Sequence, residues 1–144
     1  MSEELISASD IRGAEETELT FDVAWNIGKA TADWLEERGA VVVVYLPTQH
    51  LLANAIIEGL RLQGRDVIDG GHGDGEALIT HIMTQELAGG ISIGYDDNDK
   101  KVTIELYDAE AHLVVDSGLE EIRRRVEAGN FVPAEAKGHL FQSV

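Results

Sequence analysis

The sequence predicts an α/β fold, a three-layer α/β/α sandwich built around a mixed β-sheet. Segments with helical apolar spacing alternate along the chain with short β-branched segments, in the order α, β, α, β, α, β, β, α. This alternation is typical of layered α/β domains with a largely parallel sheet. The last two strand segments, 91–95 and 102–107, are too close for a helical crossover. They are therefore expected to pair antiparallel, which makes the sheet mixed.

The first predicted helix covers residues 20–38, with Thr20 as its N-cap and Gly39 as its stop. Its two tryptophans have different expected roles. Trp25 is expected in the core, whereas Trp34 either lies at the rim of the core or covers a partner surface, because tryptophan is enriched at interface hot spots. The predicted apolar face, at helical spacing, comprises Phe21, Trp25, Gly28, Ala32 and Leu35.

A central strand and a second helix follow. Residues 41–46 are apolar on both faces, as in a strand covered by helices on both sides, and Pro47 ends them. The second helix is predicted over residues 50–63, with Gly64 as its stop.

The middle of the chain is predicted as a short strand at 66–69, a loop at 70–75 and a third helix at 76–88. The loop is rich in glycine, which suggests a phosphate cradle. It lacks a GxGxxG or P-loop pattern, and acidic residues open the following helix, so a plain turn is the preferred interpretation.

The C-terminal third begins with the buried strand 91–95 and the half-exposed strand 102–107, whose apolar and polar residues alternate. A further short strand is predicted at 113–115. A capping box at Ser117 and Glu120 predicts a helix that extends to about residue 128.

The composition bounds the class of protein. The 144 residues fit one domain, 1–144, with an irregular tail at 129–144. A net charge of −16 argues against nucleic acid and anionic membranes as partners. There are no cysteines, the histidines show no metal-ligand spacing, and the N-terminus does not resemble a signal peptide. A cytoplasmic, soluble protein is expected.

Five segments resemble one known family in their order along the chain. Residues 9–13, Ser-Asp-Ile-Arg-Gly, resemble the DIRG motif near the start of the α-D-phosphohexomutases, the phosphomannomutase/phosphoglucomutase family. Residues 52–60 resemble the family's second helix, and 64–71 resemble the strand and turn after it. Residues 89–93 resemble the strand that leads to the phosphorylated serine, and 105–113 the hairpin beyond it. The resemblance covers almost the whole chain but only the family's first domain.

The resemblance implies a chemistry. In the family, a serine in a TASHNP-like loop donates a phosphoryl group to a hexose phosphate, assisted by a magnesium ion that three aspartates of the second domain hold. Phosphoryl transfer depends on positioning and on cations around the phosphate. This sequence contains no DGDADR-like magnesium loop, so no metal site and no cofactor are expected in this chain.

The resemblance places Asp96 at the position of the phosphorylated serine. Asp97 and Asp99 replace the histidine and proline of the motif, while Asn98 matches it. Ser92 is expected inside the strand, where it is poorly placed as a nucleophile. The predicted site loop therefore comprises Gly94, Tyr95, Asp96, Asp97, Asn98 and Asp99.

Two further positions bear on the site. Residues 45–49, Tyr-Leu-Pro-Thr-Gln, stand where the family has its GRDTR segment, so the charged residues of that loop are lost. Arg12 matches the family's DIRG motif and is the phosphate-binding candidate. The alternative for Arg12 is an ion pair with Asp10 or with the acidic loop, since arginine suits both roles.

Alternatives stay open for the acidic loop and for the function. The loop is a solvated hairpin turn, a mimic of phosphoserine at Asp96, or a loose divalent-cation site. The chain is interpreted as a stand-alone, catalytically inactive domain-I homologue that binds a phosphosugar or interacts with proteins, with a hexose phosphate, a second copy or a partner protein as candidate partners. The alternative is a component of an active phosphohexomutase, an intramolecular phosphotransferase, that other chains complete. Whether the chain is an enzyme is left open.

Overall fold

The computed structural model describes residues 5–7 and 9–142. They form a sheet with helices on both faces, as the sequence predicts. The elements in chain order are β1 (Ile11–Gly13), α1 (Phe21–Trp34), β2 (Val41–Tyr45), a 3₁₀ turn (Pro47–Gln49), α2 (His50–Leu62), β3 (Val67–His72), α3 (Gly75–Gln85), β4 (Gly89–Asp96), β5 (Lys101–Tyr107), α4 (Ser117–Ala128) and β6 (Leu140–Gln142).

The six strands form one mixed sheet in the order β1-β5-β4-β2-β3-β6. Strand β2 lies in the middle and pairs in parallel with β3 on one side and β4 on the other. Strands β4 and β5 form the expected antiparallel hairpin. The predicted mixed sheet is therefore confirmed.

Each face of the sheet has its own apolar core. On one face, α1, α2 and α4 contribute buried residues such as Ile27, Ile56 and Ile122 to a large cluster. On the other face, Leu78 and Ile82 of α3 pack in a smaller cluster. Alternate residues of β2 point into the two clusters, which explains why its whole length is apolar.

Helices α1 and α2 approach each other unusually closely. The Cα of Gly28 faces the carbonyl oxygen of Ile56, and the Cα of Gly59 faces the carbonyl oxygen of Trp25, with no room for a Cβ at either position. The pair of glycines allows the two helix backbones to touch. This contact fixes the layer that covers β2 and β3.

Two strands at the edges of the sheet were missed. Strand β1 pairs antiparallel with β5, and β6 pairs in parallel with β3. The prediction of an irregular tail is therefore wrong at Leu140–Gln142. Both strands span three residues, which is too short for an alternating pattern to be recognised.

Helix α1 ends at Trp34 and not at residue 38. Its buried residues include Ala24, Ile27 and Thr31, so its inner face is rotated from the predicted one. Phe21 is 56% exposed. Trp25 is only half-buried, with the Lys29 ammonium 3.4 Å from its ring centroid. The predictions of Phe21 on the apolar face and of Trp25 in the core are wrong because small residues, and not the aromatic ones, face α2.

Three local predictions also need correction. Strand β3 extends to His72, so the predicted loop 70–75 is reduced to a short connection, with a bulge opposite Val43 and Val44. Residues 113–115 form only an isolated bridge between Tyr107 and Leu113. Helix α4 has the predicted span, but its N-cap is Asp116 with no side-chain hydrogen bond, so the capping box is wrong.

Candidate functional site

Arg12 lies in β1, at the edge of the sheet where β2 and β4 end. It is opposite Thr103 of β5, which is itself opposite Gly94 of β4. Because β1 and β4 both run antiparallel to β5, they share one direction. The topology therefore brings Arg12 beside the β4–β5 turn.

The β4–β5 connection is a tight hairpin turn over residues 97–100, bracketed by the opposed residues Asp96 and Lys101. The Oδ1 atom of Asp96 accepts hydrogen bonds from the backbone N–H groups of Asn98, at 2.9 Å, and Asp99, at 3.3 Å. Lys100 completes the turn in the left-handed region, with φ of 57°. The predicted hairpin turn is confirmed, and the Asp96 side chain is what shapes it.

Three carboxylates converge on the Arg12 guanidinium. The Arg12 Nε donates to Asp10 Oδ2 at 3.0 Å. Its Nη1 donates to Asp96 Oδ2 at 3.0 Å and to Asp99 Oδ2 at 2.6 Å. We call these four residues the Arg12 cluster. Arg12 thus forms ion pairs with both Asp10 and the acidic loop, whereas its role as a phosphate-binding residue stays a prediction.

The hydrogen bonds of the cluster shift the pKa values of its members. The pKa of Asp96 is lowered, first by the backbone N–H groups of Asp99 and Asn98 and then by Arg12. The pKa of Arg12 is raised, chiefly by its hydrogen bond to Asp96. At neutral pH, three carboxylates surround one guanidinium, a surplus of two negative charges. This surplus of negative charge disfavours the binding of a further anion, such as a phosphate, at Arg12.

The predicted site loop divides into two parts. Gly94, Tyr95 and Asp96 are the last residues of β4, and Tyr95 packs against the large core. Asp97, Asn98 and Asp99 form the turn. Ser92 lies within β4 and is only 6% exposed, which agrees with its expected place inside the strand.

The segment that replaces the GRDTR loop lies beside β4. The Leu46 N–H donates to the carbonyl of Ile93 at 3.0 Å, and Pro47–Gln49 then turns into α2. Gln49 is buried, at 2% exposure. This loop presents no positively charged side chain.

One polar group at this edge was missed. The Tyr45 hydroxyl donates to Asp69 Oδ1 at 3.1 Å, and the His72 ring lies edge-on to the Tyr45 ring, 5.8 Å away. Burial, and then Asp69, raises the pKa of Tyr45. Because the C-terminal ends of adjacent parallel strands lie side by side, Tyr45 at the end of β2 could have been expected near the end of β3. His72 was missed because the sequence predicted it in a loop at 70–75 and not in β3.

The described residues meet neither the requirements of a metal site nor those of a membrane-spanning helix. Among residues 5–7 and 9–142, no group of three histidine, aspartate or glutamate side chains is arranged to hold a metal ion. None of the described helices has the length and apolarity needed to cross a membrane.

The sheet order and the two core layers define a three-layer α/β/α domain with a mixed sheet. Residues 3–133 match the family described as phosphoglucomutase/phosphomannomutase, alpha/beta/alpha domain I. The chain belongs to this family.

Individual relatives agree with the match. A phosphomannomutase of Salmonella typhimurium strain LT2 is 33% identical over 133 residues, which cover 88% of this chain and 28% of that protein. A phosphomannomutase of Klebsiella pneumoniae is 32% identical over 133 residues, 89% of this chain and 83% of that protein. This chain thus spans under a third of the Salmonella protein, so the activity of the longer protein is not carried over directly.

A solved structure shows the same fold. The crystal structure of a phosphoglucomutase/phosphomannomutase family protein from Burkholderia thailandensis superposes with a TM-score of 0.78 at 21% identity, covering 96% of this chain and 32% of that one. At this identity, the likeness concerns the fold alone. It confirms the predicted fold class.

Proposed function

We propose that this chain is a catalytically silent phosphohexomutase domain I that serves as a binding module, located in the cytoplasm. One observation carries the proposal. Where the family resemblance places the phosphorylated serine, Asp96 extends a carboxylate whose Oδ2 lies 3.0 Å from Arg12 Nη1. A fixed negative charge therefore occupies the place of a transferable phosphoryl group.

The contacts of Asp96 support a structural role over a catalytic one. Its Oδ1 holds two turn N–H groups, and its Oδ2 holds Arg12. A nucleophile needs a free lone pair and an open approach for the phosphoryl donor. The surplus negative charge of the Arg12 cluster also opposes a dianionic phosphate. Asp96 is therefore poorly suited to replace the serine as the nucleophile of phosphoryl transfer.

A second candidate function is residual phosphosugar binding through Arg12. It is favoured by the position of Arg12 at the edge of the sheet where β2 and β4 end. The relatives are named phosphomannomutases, which makes mannose phosphates the ligands to test. A phosphate that binds at Nη1 would have to displace Asp96 or Asp99. In the remaining alternative, other chains complete an active phosphohexomutase and supply the missing residues.

Phosphoryl transfer is tested by incubating the chain with a hexose bisphosphate and magnesium, followed by mass spectrometry and a mutase assay. We expect no covalent phosphate and no turnover. A phosphorylated peptide containing Asp96, or turnover by the chain alone, would overturn the silent assignment.

Sugar binding is tested separately by NMR titration with mannose 1-phosphate and mannose 6-phosphate. We expect no saturable shifts in wild-type residues 94–99, because the three carboxylates around Arg12 repel a further anion. The Asp99→Ala variant removes one of them, and Arg12→Ala combined with Asp99→Ala is its matched control. Saturable wild-type shifts that vanish with Arg12→Ala would instead establish the phosphosugar binder.

A further inference from the structure

We infer that a groove on both sides of Trp34 binds a basic amphipathic segment of a partner protein. The groove lies at the opposite end of the sheet from the Arg12 cluster. It adjoins Ala88, just before β4, and Asp108, just after β5. Strand β4 spans 8 residues, so the two sites are roughly 25 Å apart. The inference therefore stands independently of the proposed function.

The groove consists of two cavities that share Trp34 and Asp108. The first has a volume of about 450 Å³, with Leu35 and Ala88 among its apolar walls. The second has a volume of about 330 Å³ and lies along Leu113 and neighbouring apolar residues. Volumes of this size are typical of cavities that take ligand groups. Trp34 stands between the two and can contact an occupant in either.

The first cavity selects for positive charge. Four carboxylate side chains line it, and one of them, that of Asp108, accepts hydrogen bonds at Oδ1 from the backbone N–H groups of Glu110 and His112. Complementary charge favours association and excludes partners of the same sign. The four carboxylates belong to Glu36, Glu37, Asp108 and Glu110.

The tryptophan adds a second reason for a cationic occupant. In the same helix, the Lys29 ammonium lies 3.4 Å from the ring centroid of Trp25. Within the described part of the chain, no lysine or arginine is stacked in this way on Trp34. The face of an indole ring attracts guanidinium and ammonium groups. Trp34 and the carboxylates together match an arginine or lysine side chain with its aliphatic stem.

The second cavity selects for apolar side chains. Leu113 and Val115, on its wall, are 44% and 38% exposed. A segment with basic residues followed by apolar ones would place its charges among the carboxylates and its apolar side chains here. A second copy of this chain is disfavoured as the occupant, because each copy carries a net charge of −16.

The test is an NMR titration of the full chain with a short peptide of arginines followed by leucines, observed at the Trp34 indole N–H. We expect saturable shifts at Trp34 and Leu113 and none at residues 94–99. The double variant Glu36→Gln with Glu110→Gln should weaken binding by about tenfold, which corresponds to about 1.4 kcal/mol, since it removes two exposed negative charges. Both positions are exposed, so the fold should be retained.

The matched control is Glu127→Gln with Glu135→Gln, which makes the same charge change at exposed positions outside the groove. We expect it to leave the affinity unchanged. An equal loss in both double variants would overturn the inference by showing diffuse attraction to an acidic protein. Spermidine binding as tightly as the peptide, or self-association through Trp34 in sedimentation experiments, would also overturn it.

Discussion

Arg12 and Arg65 each donate hydrogen bonds to several oxygen atoms, which are carboxylate oxygens for Arg12 and backbone carbonyl oxygens for Arg65. Arg12 binds three side-chain carboxylates at the edge of the sheet. Arg65, between α2 and β3, binds four backbone carbonyls, those of Ala32 (3.1 Å), Leu35 (2.5 Å), Glu37 (2.6 Å) and Gly39 (3.3 Å). The first set is charged and accessible, whereas the second consists of carbonyl groups left free where α1 ends.

This difference between the bound oxygen atoms indicates that Arg65 is needed for folding, whereas Arg12 is better suited to a functional role. Arg65 satisfies backbone carbonyls in the last turn of α1 and in the segment just after it, so its loss would leave these groups unpaired. The guanidinium of Arg65 lies partly out of water, and this burial lowers the pKa of Arg65. Arg12 joins side chains that water could solvate equally well. Its contacts should affect charge at the site more than stability.

The largest expected effect is that of Arg65→Ala. The variant should lower the free energy of unfolding by about 3 kcal/mol, since hydrogen bonds from a charged donor are lost and carbonyls remain unpaired. Urea unfolding followed by circular dichroism measures this loss. Arg65→Lys keeps the charge without the planar fork and should recover only part of the stability. A loss no greater than that of Arg12→Ala would refute the distinction between the two arginines.

A smaller effect is expected for Arg12→Ala. Its ion pairs are partly exposed, and such pairs each contribute between zero and about 1 kcal/mol. We expect the free energy of unfolding to decrease by about 1 kcal/mol, measured in the same urea experiment. NMR shifts should change in β1 and in the 97–100 turn and remain unchanged around Arg65. Global unfolding of this variant would show that the Arg12 cluster holds the fold together.

Acid should distinguish wild type from Asp96→Asn. The pKa of Asp96 is lowered below its ordinary value of 3.8, so the carboxylate contributes stability that is present above that value. The contribution is lost as the pH falls through the lower, folded-state pKa. The stability difference between wild type and Asp96→Asn should therefore be constant from pH 7 to about pH 5 and shrink as the pH falls through and below 3.8. A difference that grows on acidification would contradict this.

Salt should produce the smallest effect. At about 1 M sodium chloride the Debye length falls to about 3 Å, which screens exposed charges. The stability difference between wild type and Arg12→Ala should shrink under these conditions. The difference between wild type and Arg65→Ala should stay, because Arg65 binds neutral carbonyls. The same urea curves, repeated at high salt, provide the measurement.

Much of the fold could be predicted from local patterns. The apolar run of β2 and the span of α4 follow from hydrophobic spacing and from residues that stop an element. The antiparallel β4–β5 hairpin follows from the shortness of its connection. Family motifs pointed to Arg12 and Asp96, and an ion pair between Arg12 and the acidic loop was one of the two alternatives for Arg12.

The sequence by itself determined the alternation of elements, the mixed sheet and the turn at residues 97–100, because each depends on residues close together in the chain. Only the tertiary structure decided the rest. Strands β1 and β6 exist because longer neighbours offer them hydrogen bonds. Helix α1 ends at Trp34 with its carbonyls bound by Arg65. The Arg12 cluster joins residues 84 and 87 positions apart, and no local pattern specifies contacts over such separations.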